Sequence, residues 1–166
     1  MSNKQIMTVD VVVETTPQTG PIKYEICKDT GHLRVDRFLE TAMNYPCLYG
    51  YIPGTLCDDG DACDILVLTH HHVMPGVVLE AKPVAMLVME DEAGLDNKIL
   101  AVPSDQLSKD YAHINDLADV PQSVIQQIEH FFKHYKDLNP DKWVKISDWK
   151  DAAAAQAEIE KSKQSI

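Results

Sequence analysis

Short apolar or alternating segments separated by turn residues fill the first two thirds of the chain. Val9–Val13, Ile22–Ile26, Leu33–Arg37, Ile65–Leu68 and Lys98–Val102 read as strands, and Val77–Met89 as a longer one with a break at Pro83. Glycine, proline, asparagine and aspartate fall between them at sensible spacing. The rhythm then changes. In "VPQSVIQQIEHFFKHYK", Val124, Ile125, Ile128, Phe131, Phe132 and Tyr135 recur at helical period, and "DAAAAQAEIEKSK" supplies a second helix of high intrinsic propensity. Closely spaced strands followed by helices predict an α+β fold, mainly β: a compact barrel or curled sheet with helices outside it, and not an alternating parallel-sheet fold.

Composition narrows the class. The chain has 166 residues, 45% of them hydrophobic and 25% charged, which suits one domain (residues 1–166) with a sizeable core; its two ends, residues 1–8 and 162–166, are expected to fray. A net charge of −11 opposes broad binding to a polyphosphate backbone, although a local basic pocket could hold a small anion. Nucleic acid is therefore not an expected partner. No uninterrupted apolar run approaches a membrane span, and the first thirty residues lack a signal-peptide pattern, so the expected setting is cytoplasmic, with no membrane partner. Cys27, Cys47, Cys57 and Cys63 form no C-x-x-C pair and are expected to remain thiols, Cys63 as a packing residue.

The densest chemistry is "DDGDACDILV", residues 58–67. Asp59 and Asp61 share a face of an extended chain, and Asp64 points the other way unless the backbone bends, which Gly60 makes easy. Three carboxylates drawn to one point repel one another and ask for a cation; left apart, they are an acidic turn in water. Hard oxygen ligands suit magnesium or manganese. A calcium loop of the EF-hand kind beginning at Asp59 fails, because Asp64 and His70 stand where glycine and glutamate are required.

Other charges are less decisive alone. Lys23 and Glu25 alternate with Ile22, Tyr24 and Ile26, consistent with a surface ion pair. Arg37 shares its phase with Leu33 and Val35, read here as core residues, and so either reaches out at a strand end or meets an anion. "MEDEAGLDNKIL" predicts a hairpin turning at Gly94, with Asp91 and Asp96 flanking the turn and Lys98 on the face of Asp96. "NYPCLYGYIPG" reads as an aromatic loop in which Tyr45, Tyr49 and Tyr51 either fill space or line a pocket. Tyr135 and Lys136 close the amphipathic helix, where a cation also complements the dipole. The consecutive His70, His71 and His72 are expected to diverge on an exposed loop, and His130 and His134 lie on a polar helical stripe with Asp137.

Taken together, "VVVE", "PIKYEI", "VDRF", "YPCLYGYIP", "DGDACD", "DEAGLDNK", "LSKDYAHI", "HFFKHYKDL" and "KWVK" resemble, in order and approximate separation, the soluble inorganic pyrophosphatases of the bacterial family I type. The similarity runs from about Val11 to the final helix. The family's aspartate signature is D-G-D-P-hydrophobic-D; here Ala62 and Cys63 occupy the fourth and fifth places, so a rigid ring is lost while all three carboxylates are kept.

The resemblance implies a five-stranded OB-like barrel with outer helices and an active site at its mouth. The implied reaction is magnesium-dependent hydrolysis of inorganic pyrophosphate to two orthophosphates by a metal-activated water, with several Mg2+ per site. Asp59, Asp64 and Asp96 would hold the first ion, Asp64 sharing the second, and Asp61 would act as general base on the water. Asp91, Asp96 and Glu25 would meet ions arriving with the substrate, inside an acidic shell that includes Glu14 and Glu92. Lys23, Arg37, Tyr49, Lys98, Tyr135 and Lys136 would contact phosphate, with Tyr45 near the leaving side. The implied assembly is a homo-oligomer, a hexamer, with the His130, His134 and Asp137 stripe at a subunit contact.

The chemistry explains why acids crowd an anion site. Hydroxide attacking pyrophosphate brings negative charge to negative charge, and two metals about 3.5–4 Å apart offset both partners. Lysine and arginine then bind the remaining oxygens. Two other readings remain at the level of sequence: a metal-dependent phosphohydrolase acting on another phosphoanhydride, and an OB-type module for single-stranded nucleic acid, which 26 acids against 15 lysines and arginines disfavour.

Overall fold

The computed structural model describes residues 6–163. Five strands close into a ring: β1 (Val9–Thr15), β4 (Leu48–Tyr51), β5 (Asp64–Val67), β8 (Lys98–Pro103) and β6 (Val78–Asp91), with β6 pairing back onto β1. This is the predicted OB-like barrel, α+β and mainly β. Only β5 and β8 run parallel within it; the other ring pairings are antiparallel.

Strands β5 and β8 are buried on both faces, which explains the continuous apolar run that begins at Ile65. Leu66, Leu87 and Leu100 pack with Ile128 and Phe132 of α1 (Gln122–His134), while Ile65, Met86 and Ile99 pack with Ala155 and Ile159 of α2 (Ala152–Ser162). Both helices fall where the sequence placed them. Asp151 caps α2 by accepting from the Ala154 amide at 3.0 Å. No helix among the described residues is long and apolar enough to cross a membrane.

Four sequence expectations are corrected. The aromatic loop contains a ring strand, β4, whose Gly50 passes so close to β1 that a Cβ would run into the Val12 carbonyl. Pro83 does not break β6: the strand continues, and the missing amide is absorbed by a register shift between Pro83 and Ala85. The charged segment Val144–Lys150, not read as a strand, is β9 and pairs with the far half of β6. Leu33 and Val35 are exposed and not core, because β2 (Ile22–Ile26) and β3 (Leu33–Phe38) form a separate two-stranded sheet standing off the ring.

That hairpin is held to β1 by side chains. Thr15 Oγ1 accepts from the Tyr24 amide at 2.9 Å and donates to its carbonyl at 3.1 Å, and Glu14 accepts from the Ile26 amide at 2.7 Å. A short β7 (Gly94–Leu95) completes the predicted turn between β6 and β8. The fraying expected of residues 1–5 and 164–166 lies outside the described residues. Residues 162 and 163 are tied down, since the Ser162 carbonyl accepts from Leu56 and Lys163 pairs with Thr55.

Candidate active site

One open cavity of about 310 Å³ lies between the barrel mouth and the β2–β3 hairpin. The hairpin contributes Lys23, Glu25 and Arg37, and the ring contributes Tyr49, Asp64, Asp91 and Lys98. The loop before β5 adds Asp59 and Asp61, the turn after β7 adds Asp96, and the end of α1 adds Tyr135 and Lys136. Every candidate residue of the catalytic, phosphate-binding and metal sets therefore faces the same space. Glu14, Tyr45 and Tyr51 line it too, and Lys28, a turn residue that no periodicity distinguishes, was missed by the sequence reading.

The loop is built to present acids. Gly60 takes φ +86°, the left-handed turn expected of it, and Asp59 accepts from the Asp61 amide at 3.0 Å, so the two carboxylates are held on a tight bend. The bend is closed by Cys57 N–H donating to the Asp61 carbonyl at 2.7 Å. Asp64 opens β5, where the Lys98 ammonium donates to it at 2.8 Å.

Lys98 donates also to Asp96 at 2.9 Å and to the Tyr49 hydroxyl at 2.9 Å, so its three protons are all engaged. Burial alone works against its charge; Asp64, Tyr49 and Asp96 outweigh that and hold its pKa well above the ordinary value. Lys136 is arranged in the same way, with Asp91 at 3.1 Å and Glu92 at 3.5 Å, and its pKa is raised although burial opposes the charge. Burial pushes the Tyr49 phenol well above its usual value and the Glu14 carboxyl up to about 7.

Charge pairing decides how the acids stand. Asp64 and Asp96 meet through the Lys98 ammonium, and Asp61 faces Lys28 at 3.7 Å. The three carboxylates of the loop do not converge on one point: among the described residues, the one close set of three metal-ligating atoms is His70, His71 and Asp110. The histidine expectation is corrected in turn, since the His70 and His71 rings lie 4.2 Å apart and do not diverge. His134 pairs with Asp137 at 2.7 Å on the exposed stripe.

At Arg37 a buried donor is left over. Its Nε is buried with no hydrogen-bond partner, and the nearest carboxylate oxygen, on Asp36, is 3.6 Å away, too long for a hydrogen bond. Lys23 holds Asp36 at 3.0 Å beside it. Aromatic packing fixes the far wall: Tyr45 contacts Tyr49 and Phe131 at ring separations of 5.1 and 4.6 Å, and Tyr135 stacks on Phe131 at 5.0 Å. Burial raises the Tyr45 phenol as well, so both tyrosines enter the cavity wall protonated and able to donate.

Fold and relatives define the class first: a hydrolase on an OB-like barrel. Residues 11–166 match the family described as inorganic pyrophosphatase. An inorganic pyrophosphatase of Yersinia pestis is 55% identical over 149 residues, covering 90% of this chain and 85% of the relative. Among solved structures, an inorganic pyrophosphatase from Coxiella burnetii superposes with a TM-score of 0.91 at 44% identity, covering 98% of this chain and 96% of that one. One described as an inorganic phosphatase, from Anaplasma phagocytophilum, gives a TM-score of 0.92 at 46% identity, with 98% and 94% covered. The chain belongs to the inorganic pyrophosphatase family, of the family I type found in bacteria, and is an enzyme of that class.

Proposed function

We propose that the chain hydrolyses inorganic pyrophosphate to two orthophosphates in this cavity, with magnesium bound by its acids and water as the nucleophile. The observation that carries the reading is the meeting of five aspartates with Lys23, Arg37 and Lys136 in one open cavity, beside a buried guanidinium nitrogen that lacks a partner.

The donor set fits magnesium: Asp59, Asp64, Asp91 and Asp96 offer hard carboxylate oxygens, and lysines pair with three of those four acids. Asp59, Asp64 and Asp96 would hold one ion, and Asp91 with Glu25 those entering with substrate. Bound there, magnesium supplies charge neutralisation and a lowered pKa for the attacking water. Asp61, a largely exposed acid of the loop, would take the proton from the attacking water. Lys23, Arg37 and Lys136 hold the phosphoryl oxygens and stabilise the departing orthophosphate, while Tyr49 and Tyr135 donate hydrogen bonds from the packed wall. Lys98, enclosed by Tyr49, Asp64 and Asp96, sets the positions of these groups at the phosphate-facing floor.

The working form in this proposal is a cytoplasmic homo-oligomer, a hexamer, using the exposed His130, His134 and Asp137 stripe for subunit contact. Light scattering coupled to size exclusion measures its size. The chemistry is tested by phosphate release from pyrophosphate against nucleoside triphosphates with and without excess magnesium. Release from pyrophosphate that requires magnesium supports the reading, and a preference for nucleotides overturns it.

A further inference from the structure

Cys57 and Cys63 bracket the acidic bend, five residues apart in the intervening chain, and belong to none of the chemistry above. Both are free thiols, and their sulfurs lie 2.6 Å apart. The surrounding loop, not the thiols alone, enforces this approach. Cys57 N–H donates to the Asp61 carbonyl at 2.7 Å, and its own carbonyl accepts from Gly60 at 3.0 Å. Cys63 N–H donates to Thr55 Oγ1 at 3.0 Å while its carbonyl accepts from Ile52 at 3.0 Å. Both ends of the bend are thus fixed independently, and the two side chains turn toward each other behind Asp59 and Asp61. A small cavity of about 30 Å³, lined by Cys57, Cys63, Asp59 and Glu158, reaches them from the side of α2.

Cys63 is buried and Cys57 is half-buried, so a small oxidant meets Cys57 first. Ala62 and Cys63 stand in this loop where the signature that the sequence resembles has proline and an apolar residue, so no pyrrolidine ring stiffens the approach to Asp64.

We propose that Cys57 and Cys63 form a reversible disulfide that clasps the acidic loop. With a low-molecular-weight disulfide as oxidant, the Cys57 sulfur displaces one thiol from it to give a mixed disulfide, and the Cys63 sulfur then displaces the second. Two S–H bonds are exchanged for one S–S bond in the protein, which loses two electrons and two protons; the oxidant becomes two thiols. The closed ring holds seven residues and takes over the stiffening that proline would have given, by removing open conformations of the loop from the unfolded chain. The acids keep their places because the thiols already face each other.

The test uses the full chain incubated with oxidised glutathione, then alkylated and cut at aspartate without reduction. The expected result is a protein lighter by two hydrogens, with two alkylatable thiols in place of four and the peptides carrying Cys57 and Cys63 held together. Its Tm rises by roughly 5 °C and returns with reductant. C57S loses both effects and C27S keeps both. Four remaining thiols, glutathione retained on Cys57, a link through Cys27 or Cys47, or a linked protein whose Tm does not rise would each overturn the proposal. Thiol count and unfolding are read without pyrophosphate, so failure here is distinct from failure of the catalytic reading.

Discussion

The Lys98 ammonium sits 2.8 Å from the Asp64 carboxylate, at a point where β8 runs parallel to β5 and the two residues are register partners. One buried cation thereby organises two acids and a tyrosine. In K98M the ammonium that lies 5.2 Å from the Tyr49 ring centre and 5.7 Å from that of Phe132 is gone, and Asp64 and Asp96 lose their counter-charge. The expected cost is about 2–3 kcal/mol in urea unfolding, since both acids keep some access to water. Activity falls with it, because the Tyr49 hydroxyl is no longer held.

Asp61 behaves in the opposite way. Its side chain is largely exposed and its ion pair with Lys28 is loose at 3.7 Å. D61N is therefore expected to lower pyrophosphate turnover by about 10²–10⁴-fold. Tm stays within about 2 °C of the parent. Near-normal turnover in this folded variant removes Asp61 from the role of base.

At Gly50 the constraint is steric. A single methyl group meets the Val12 carbonyl across the β1–β4 pairing, and backbone cannot give way as a side chain can. G50A is expected to lose about 3 kcal/mol by denaturant unfolding. An unchanged midpoint would mean that the ring is loose enough there to take a methyl group.

Glu14 sets a pH dependence of definite sign. Burial raises its carboxyl from near 4.5 to about 7, so between those values the folded chain keeps a proton that the unfolded chain has released. Stability contributed at this site is present below the lower value and is lost as pH rises through the upper one. Measured against E14Q, which does not ionise, the parent should lose relative stability across that window. A constant difference contradicts the assignment.

How much of this was legible in the sequence depends on what each residue answers to. The helices were readable because Ile125, Ile128, Phe131 and Phe132 answer to a single buried face, and β5 because it is apolar on both faces. Strand β4 was hidden because Gly50 and the flanking tyrosines serve a close strand crossing and a cavity wall, neither of which has a sequence period. In β9, half-buried Val144 and Ile146 alternate with charges, and its pairing partner lies more than fifty residues earlier, beyond any local signal. Leu33 and Val35 misled for the converse reason: strand periodicity reports a shared face but not which face is covered. The acids were recognisable by type and spacing, and their pairing with Lys28, Lys98 and Lys136 required the closed ring to bring distant segments together.

Strand β6 borders β1 and then β9 along one edge, and β8 and then β7 along the other. In order of synthesis the ring is complete once Pro103 has emerged from the ribosome, yet Met86–Asp91 keeps a bare edge until residues 144–150 follow. During that interval a nascent chain carries an unsealed template for foreign strands, bearing Leu87 and Met89. A chain that ends before β9 would offer that edge to its own copies.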